Sequence, residues 1–371
     1  MEKGLISVII ACYNNFKYLY DALDSVFIQD YEKIELIVAD DCSNDFPFNI
    51  IKQYIESNKK QNIVNYLLKH EQHNVGTVKN LNNAIELAKG EFCFFMACDD
   101  TFNDPHSISN LIDGFKGSSD IQVVVGQTAL YDEEMHNLYG YYLIPELKNT
   151  LLLKGSEKSK ELLKELVTRG ACIPTTSICV RKEISRFDES YLLIEDYPFH
   201  IKLALNNVSI KYVNKIIAKH RNGGVSHSNN KITGTKIKYY ADTMKCINEY
   251  IFSNLDIIDD DLIKKRVYTS KMREMYIYKL YTCIYNKTLF SVRYLKPFSV
   301  IFFSKIKMPV FIVVLGIYLI SIIMYILSSW QLLEINKLYI IVMYAASSFI
   351  ILLEILFRVL YLDNRNKWIK L

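Results

Sequence analysis

The sequence lacks a Cys-x-x-Cys pair and any His/Cys spacing of the kind that holds zinc, although it contains eight cysteines: Cys12, Cys42, Cys93, Cys98, Cys172, Cys179, Cys246 and Cys283. Scattered through apolar segments, they read as reduced core residues of a cytosolic compartment, not as a disulfide framework. A convincing signal peptide is missing too. The apolar run in MEKGLISVIIACYNN is short and soon interrupted by polar residues, which suits a first strand. No internal repeat appears, and no low-complexity linker occurs before residue 230. A strong charge of either sign is also absent: the net charge is +4 over 371 residues, so nucleic acid is not the indicated partner. Half of the residues are apolar, enough to fill the core of one large domain with attachments, which excludes a disordered chain.

What is present, over the front of the chain, is an alternation of strands and helices. Short β-branched or apolar runs at 5–11, 34–39, 64–68 and 92–96 alternate with helix-like segments at 18–29, 48–58 and 79–88. Such alternation predicts an α/β unit with a mostly parallel sheet flanked by helices. Ligands bind these sheets beyond the carboxyl ends of the strands. Three of the strands end in polar residues: Cys12-Tyr13-Asn14, Asp40-Asp41 and Asp99-Asp100. Paired acids directly after the apolar run 92–96 bring negative charge to the mouth of the sheet, where it can hold a hard cation that in turn holds a phosphate. A nucleotide-using enzyme is the first expectation.

The back of the chain has a different character. Positions 308–328 form an uncharged stretch long enough to span a hydrocarbon core, roughly 20 residues, and 338–357 form a second, charged only at Glu354. Lys305 and Lys307 precede the first, and Arg358, Arg365, Lys367 and Lys370 end or follow the second, so the positive-inside bias places both ends of this hairpin in the cytoplasm. Glu354, four residues before Arg358, reads as half of a snorkelling pair, with a proton-relay role as the alternative. Between front and back, 262–307 carries eleven Lys or Arg against one acid, Glu274, interleaved with aromatics such as Tyr268, Tyr276, Tyr281 and Phe298. Basic helices of this kind lie in the headgroup layer and face anionic membrane lipids; an RNA-binding patch is the alternative. The expected organisation is therefore 1–230, a nucleotide-using domain; 231–307, a basic, aromatic interfacial region; and 308–371, two transmembrane helices with a cytoplasmic tail.

Four stretches of the front domain carry a family resemblance: SVIIACYNN from Ser7, ELIVADDCSND from Glu35, HNVGTVKNLNNAIELAKGEFCFFMACDD from His73 and LLIEDYPFHIKLAL from Leu192. In this order they resemble the successive motifs of the family 2 glycosyltransferases of GT-A fold, over about residues 5–228. The resemblance implies inverting transfer of a sugar from a nucleotide-sugar donor, of UDP type, to a hydroxyl. It places Ala11 and Tyr13 at the edge of the nucleotide pocket, with Asp41 on the base and Asp40 beside it. A turn and N-cap cluster with Ser43 and Asn44 is the structural alternative for the two acids. Gly76, Lys79 and Asn80 match positions that approach the nucleotide. Lys79 stands where Arg is commoner, keeping the charge and losing the fork, and a solvated helix face is its alternative.

Asp99 and Asp100 fall on the metal motif, with Asp99 also counted toward the donor. The family usually has another Asp at the position of Ala97, which leaves two carboxylates for Mn²⁺ or Mg²⁺ and puts the extent of metal dependence in doubt. Asp196 matches the base that deprotonates the acceptor hydroxyl, and Glu195 the acid that orients the site; N-capping of the following helix is compatible with both. Thr175, Thr176 and Ser177 lie in the acceptor-side loop, or are only a strand edge. Arg221 matches a phosphate clamp, and His220 or His227 a further metal ligand or a structural histidine.

The Gln-x-x-Arg-Trp signature of processive synthases is missing, so one sugar is transferred per binding event. A lipid-linked saccharide acceptor, in the making of bacterial surface polysaccharide such as O-antigen or capsule, explains a transferase anchored at the inner face of the cell membrane. Two readings compete: a membrane-anchored saccharide-binding or assembly protein with a vestigial transferase domain, and a sugar nucleotidyltransferase. The second fits less well because no glycine-rich, basic phosphate loop lies near the N-terminus.

Overall fold

The computed structural model describes residues 1–222 and 233–286. In chain order, β1 (Glu2–Cys12) leads through α1 (Leu19–Phe27) to β2 (Ile34–Asp40), α2 (Phe48–Asn58), β3 (Ile63–His70), α3 (Thr77–Leu87) and β4 (Gly90–Ala97). There follow β5 (Thr101–Phe102), α4 (Ser107–Phe115), β6 (Val123–Tyr131), β7 (Leu138–Tyr141), α5 (Pro145–Leu152), α6 (Gly155–Arg169) and β8 (Ile178–Arg181). Then come α7 (Asp196–Leu205), β9 (Ile210–Arg221), α8 (Gly234–Cys246) and α9 (Asp261–Tyr285).

The sheet runs β3-β2-β1-β4-β8-β6-β9-β5, with β7 hung on β6. Its first half is parallel, as the alternation predicts. The sheet as a whole is not mostly parallel. Strand β8 enters antiparallel between β4 and β6, β5 and β7 also pair antiparallel, and only β6 with β9 restores a parallel pair. The expectation fails in the second half because β8 is a short return strand, not the end of a strand–helix–strand crossover.

Burial on both faces explains the continuous apolar runs. Ile6, Val8 and Ile10 of β1, with Phe92, Phe94 and Met96 of β4, pack on the face covered by α1, α2 and α4. Ile9 of β1, with Cys93 and Phe95 of β4, packs on the opposite face, under α3 and α7. Alternation of side chains along each strand sorts one sequence run into two cores. The seven described cysteines are free thiols, and five of them are buried.

The second core does not stop at residue 230. Cys246 of α8, Ile247 and Ile251 just after it, and Val267 and Met275 of α9 share it with Leu166 and Ile201. The described part of the basic segment thus contributes side chains to this core, and no break in packing coincides with residue 230. Among the described residues no helix is long and apolar enough to cross a membrane. The two expected spans, 308–328 and 338–357, lie outside the described residues, as does His227.

Phe94 is fully buried, its ring 4.7 Å from that of Phe102. Phe94→Ala is expected to lower the unfolding free energy by about 3–5 kcal/mol in urea titrations, because the cavity sits between sheet and helices that cannot collapse into it.

Candidate active site

Strand register brings the polar ends together. Ala11 pairs with Ala39 and Ala97, and Cys12 with Asp40. The ladder continues past the strands, with Asp41 N donating to Cys12 O at 2.9 Å and Cys98 N to Ala11 O at 2.9 Å. Asp40-Asp41 and Asp99-Asp100 therefore flank the end of β1, where Ala11 is half-buried and the Tyr13 ring is 46% exposed.

The first acid pair faces the protein more than a ligand. Asp40 is wholly buried and accepts from Ser43 N at 2.9 Å and Ser43 Oγ at 2.5 Å, with His70 Nδ1 at 2.7 Å. It has no surface to offer a donor, so the turn-cluster alternative describes it. Asp41 accepts from Val75 N at 2.7 Å, Gly76 N at 2.9 Å and Asn74 Nδ2 at 2.9 Å. Burial raises its carboxyl above the usual range, against the pull of the two amides. What Asp41 does here is fix the loop that starts α3. Gly76 in that loop has φ +91°, and a Cβ on it would lie 2.4 Å from Leu192 Cδ1 and 2.8 Å from Leu192 O, so only glycine fits. Lys79 is exposed, whereas Asn80 is buried and donates through Nδ2 to Ala39 O at 2.8 Å. Asn80 braces the end of β2 from within.

The second acid pair is divided in its surroundings. Asp100 is buried, with His220 Nδ1 at 2.9 Å and Arg221 N at 3.1 Å from its Oδ1. Burial opposes charge on His220, but the bond and charge of Asp100 prevail and raise its pKa. Asp99 is half-buried, with Asn15 Nδ2 donating to its Oδ2 at 2.9 Å. Burial, then the negative charge of Asp100, pushes its carboxyl up to about 6. Arg221, expected to clamp phosphate, is otherwise engaged. Its Nε donates to Asp99 O at 3.0 Å, Nη1 to Glu133 O at 2.6 Å and Nη2 to Asp21 Oδ2 at 2.8 Å, and its guanidinium lies 4.0 Å from the Tyr18 ring centroid. It holds the Asp99 loop in place. A small polar recess of about 160 Å³ opens beside Asp99, lined by Asn15, Lys17, Tyr18, Glu133, Arg221 and Asn222.

Glu195 and Asp196 open α7, both half-buried, and Asp196 accepts from Tyr197 N at 2.6 Å. Glu195 stands at the N-cap but makes no side-chain capping bond, and the Tyr197 amide holds the Asp196 carboxylate. Burial raises both carboxyls, with the charge of Asp196 adding to the effect on Glu195. Tyr142 and Tyr239 lie within electrostatic reach: burial first, then Asp196, raises both phenols, Tyr239 to about 12. Of the acceptor-side hydroxyls, Ser177 is buried and paired with Thr128 at 2.5 Å, and Thr176 lies 3.2 Å from the same Thr128. Ser177 and Thr176 tie β8 to β6, while Thr175 Oγ1 is buried without a partner among the described residues.

Sequence reading missed Asp242 of α8, whose Oδ2 accepts from Leu192 N at 2.9 Å, Leu193 N at 2.6 Å and Ile194 N at 3.2 Å. A lone acid in a basic helix gave no local signal, since its partners lie far back in the chain. Among the described residues no group of three or more His, Cys, Asp or Glu is gathered to hold a metal ion.

Comparison with known sequences points to one family. Residues 7–174 match the family described as Glycosyl transferase family 2. The glycosyltransferase GlyG of Streptococcus pneumoniae serotype 4 is 30% identical over 137 residues, 37% of this chain and 43% of the relative. The putative teichuronic acid biosynthesis glycosyltransferase TuaG of Bacillus subtilis is 36% identical over 98 residues, 26% of this chain and 37% of the relative. The poly(ribitol-phosphate) beta-N-acetylglucosaminyltransferase TarS of Staphylococcus aureus is 29% identical over 223 residues, 52% of this chain and 38% of the relative. The chain spans less than half the length of each of these three. The mixed α/β sheet is the GT-A-like fold that the family implies.

The acid pair yields a pH-dependent stability with a definite sign. Glu195 holds its proton up to about 8 in the folded chain against an ordinary 4.5, so over that window the native state binds more protons than the unfolded one. Stability is then lost as pH rises. Glu195→Gln is expected to gain stability relative to the parent between about pH 5 and about pH 8 in urea titrations. A pH-independent difference would contradict the burial of this proton.

Proposed function

We propose that the chain is a family 2 glycosyltransferase and moves one sugar per binding event from a UDP-sugar to a hydroxyl of a lipid-linked saccharide, with inversion, in bacterial surface polysaccharide synthesis. The observation that carries this reading is the half-buried Glu195–Asp196 pair at the start of α7, whose carboxyls burial makes more basic than usual. A carboxylate of raised pKa is a stronger proton acceptor, and proton removal in the transition state contributes about 10²–10⁴-fold.

In the proposed reaction Asp196 takes the acceptor's hydroxyl proton as that oxygen bonds to the anomeric carbon. The bond from that carbon to the diphosphate breaks on the opposite side, and the nucleoside diphosphate leaves with the electron pair. An α-linked donor gives a β-linked product. Burial and the charge of Asp196 both favour the protonated form of Glu195, which keeps a second negative charge away from Asp196. Asp41 and Gly76 shape the donor loop, and the exposed Tyr13 ring offers a face to the base.

Asp99 has the hard oxygen donors that Mn²⁺ or Mg²⁺ prefers, and the neighbouring Asp100 raises its pKa as a bound cation would relieve. Of the two expected ligands only Asp99 is placed to hold such an ion, with diphosphate and water completing its shell, because Asp100 is buried and engaged by His220 and Arg221 and would act on the ion through its charge alone. When bound, the ion neutralises charge on the departing diphosphate. Asn15 holds the Asp99 carboxylate in place for this role, and Arg221 holds the Asp99 backbone carbonyl.

TarS is named for transfer of β-N-acetylglucosamine to poly(ribitol-phosphate) and TuaG for teichuronic acid biosynthesis, which supports a surface-polymer acceptor and a β product here. The apolar stretches at 308–328 and 338–357, with the basic segment before them, support anchoring at the cytoplasmic face of the cell membrane.

Nucleoside diphosphate release from a panel of UDP-, GDP- and dTDP-sugars, by detergent-solubilised protein with Mn²⁺ or EDTA and lipid-linked acceptor extract, tests the proposal. Release from one donor is expected; silence across the panel favours a vestigial, saccharide-binding role. Asp196→Asn should lower turnover by about 10²–10⁴-fold with donor binding intact, and Asp99→Ala should weaken donor binding only when metal is present. Full turnover by the Asn variant would remove Asp196 from the base role.

A further inference from the structure

The loop that delivers the acid pair is fastened on two sides. Leu192 O accepts from Val78 N of α3 at 3.2 Å, and the Leu192 side chain packs against Gly76. From the other side, three consecutive amides, Leu192, Leu193 and Ile194, converge on one carboxylate oxygen of Asp242. Successive amides aimed at one point form an anion nest, here filled by a side chain of the same protein. Asp242 is itself buried, so water is a poor substitute for it. The next two residues in the chain are Glu195 and Asp196.

Neighbouring contacts act in the same direction. Tyr191 Oη donates to Glu249 Oε2 at 2.7 Å, Lys245 Nζ donates to Ser190 O at 2.8 Å, and Lys245 lies 4.4 Å from the Tyr191 ring centroid. Tyr239, Asp242 and Cys246 share one face of α8, at three- and four-residue spacing. That face meets the loop with Asp242 on the amides and with Tyr239 and Cys246 in the field of Asp196. Helix α8 is followed at Ile247–Ile251 by a π-turn that carries Glu249, a wide turn of the sort often found beside functional sites.

We propose that Asp242 is a positioning residue for proton removal: by capturing the amides of Leu192–Ile194 it fixes the backbone entering α7 and so aims Asp196 at the acceptor hydroxyl. This rests on the reading of Asp196 as the base. The donor side of the site is built from other elements, so the proposal separates turnover from donor binding. Displacing a reacting group by about 1 Å costs on the order of 10²-fold in rate. Loosening the loop also admits water to the pair, whose other facing groups are Tyr142, Cys172, Tyr197, Tyr239 and Cys246.

The test uses the full chain in detergent, with Asp242→Ala, Asp242→Asn and Asp196→Asn measured in parallel for kcat, donor KM and the pH profile of kcat. Asp242→Ala is expected to lower kcat by about 10²-fold with donor KM within about two-fold, and to move the acidic limb of the profile to lower pH as the pair becomes solvated. Asp242→Asn keeps an oxygen for the amides and should recover most of the loss. An Asp242→Ala variant with unchanged kcat, beside an inactive Asp196→Asn, overturns the proposal and leaves the base reading standing. An active Asp196→Asn overturns both. If Asp242→Ala fails to fold, Asp242→Ser, whose shorter hydroxyl cannot gather the three amides, decides: a reduced kcat with a shifted acidic limb supports positioning, and an unchanged kcat and limb reduce Asp242 to a structural residue.

Discussion

A carboxylate taken out of water must be given hydrogen-bond donors or it will not stay ionised, and four buried aspartates impose that condition on this fold. Asp40 takes Ser43 and His70, Asp41 takes the 74–76 loop, Asp100 takes His220 and Arg221, and Asp242 takes the 192–194 loop. Each draws a distant piece of chain to the carboxyl end of the sheet. The loops around the site are thus held less by their own turn chemistry than by the need to satisfy charge. The half-buried carboxylates Asp99, Glu195 and Asp196 keep part of their surface open, which is why the proposed chemistry is assigned to them.

This division separates reading from reacting. Adjacent acids in the sequence have opposite situations: Asp100 is sealed while Asp99 is reachable. Leu192 joins the two sides of the site, since one of its peptide groups bonds α3 and another bonds α8. Helices after residue 230 belong to this arrangement as much as the strands do.

Local pattern made the first half of the fold legible. The apolar runs of β1, β2 and β4 and the acids that follow them lie close in sequence, and parallel strands put their ends on one edge automatically. The segment 48–58 is read and observed as the same helix, α2. The acid pair of α7 was legible for the same reason, with its helix directly behind it. The antiparallel entry of β8 was not, because four residues carry too little pattern to reveal direction. Neither was the engagement of Arg221, whose partners Asp21 and Glu133 come from two other regions of the chain. Asp242 was hidden for that reason too. Exposure also escapes the sequence: Asp40 and Asp41 look alike as letters, and only packing assigns them to the interior.

The most direct test of the account is the anomeric configuration of the product, read by proton NMR after turnover of an α-linked UDP-sugar on a lipid-linked saccharide extract. A single displacement driven by Asp196 predicts a β-linked sugar. An α-linked product would require a different chemistry and would contradict the role assigned to the acid pair.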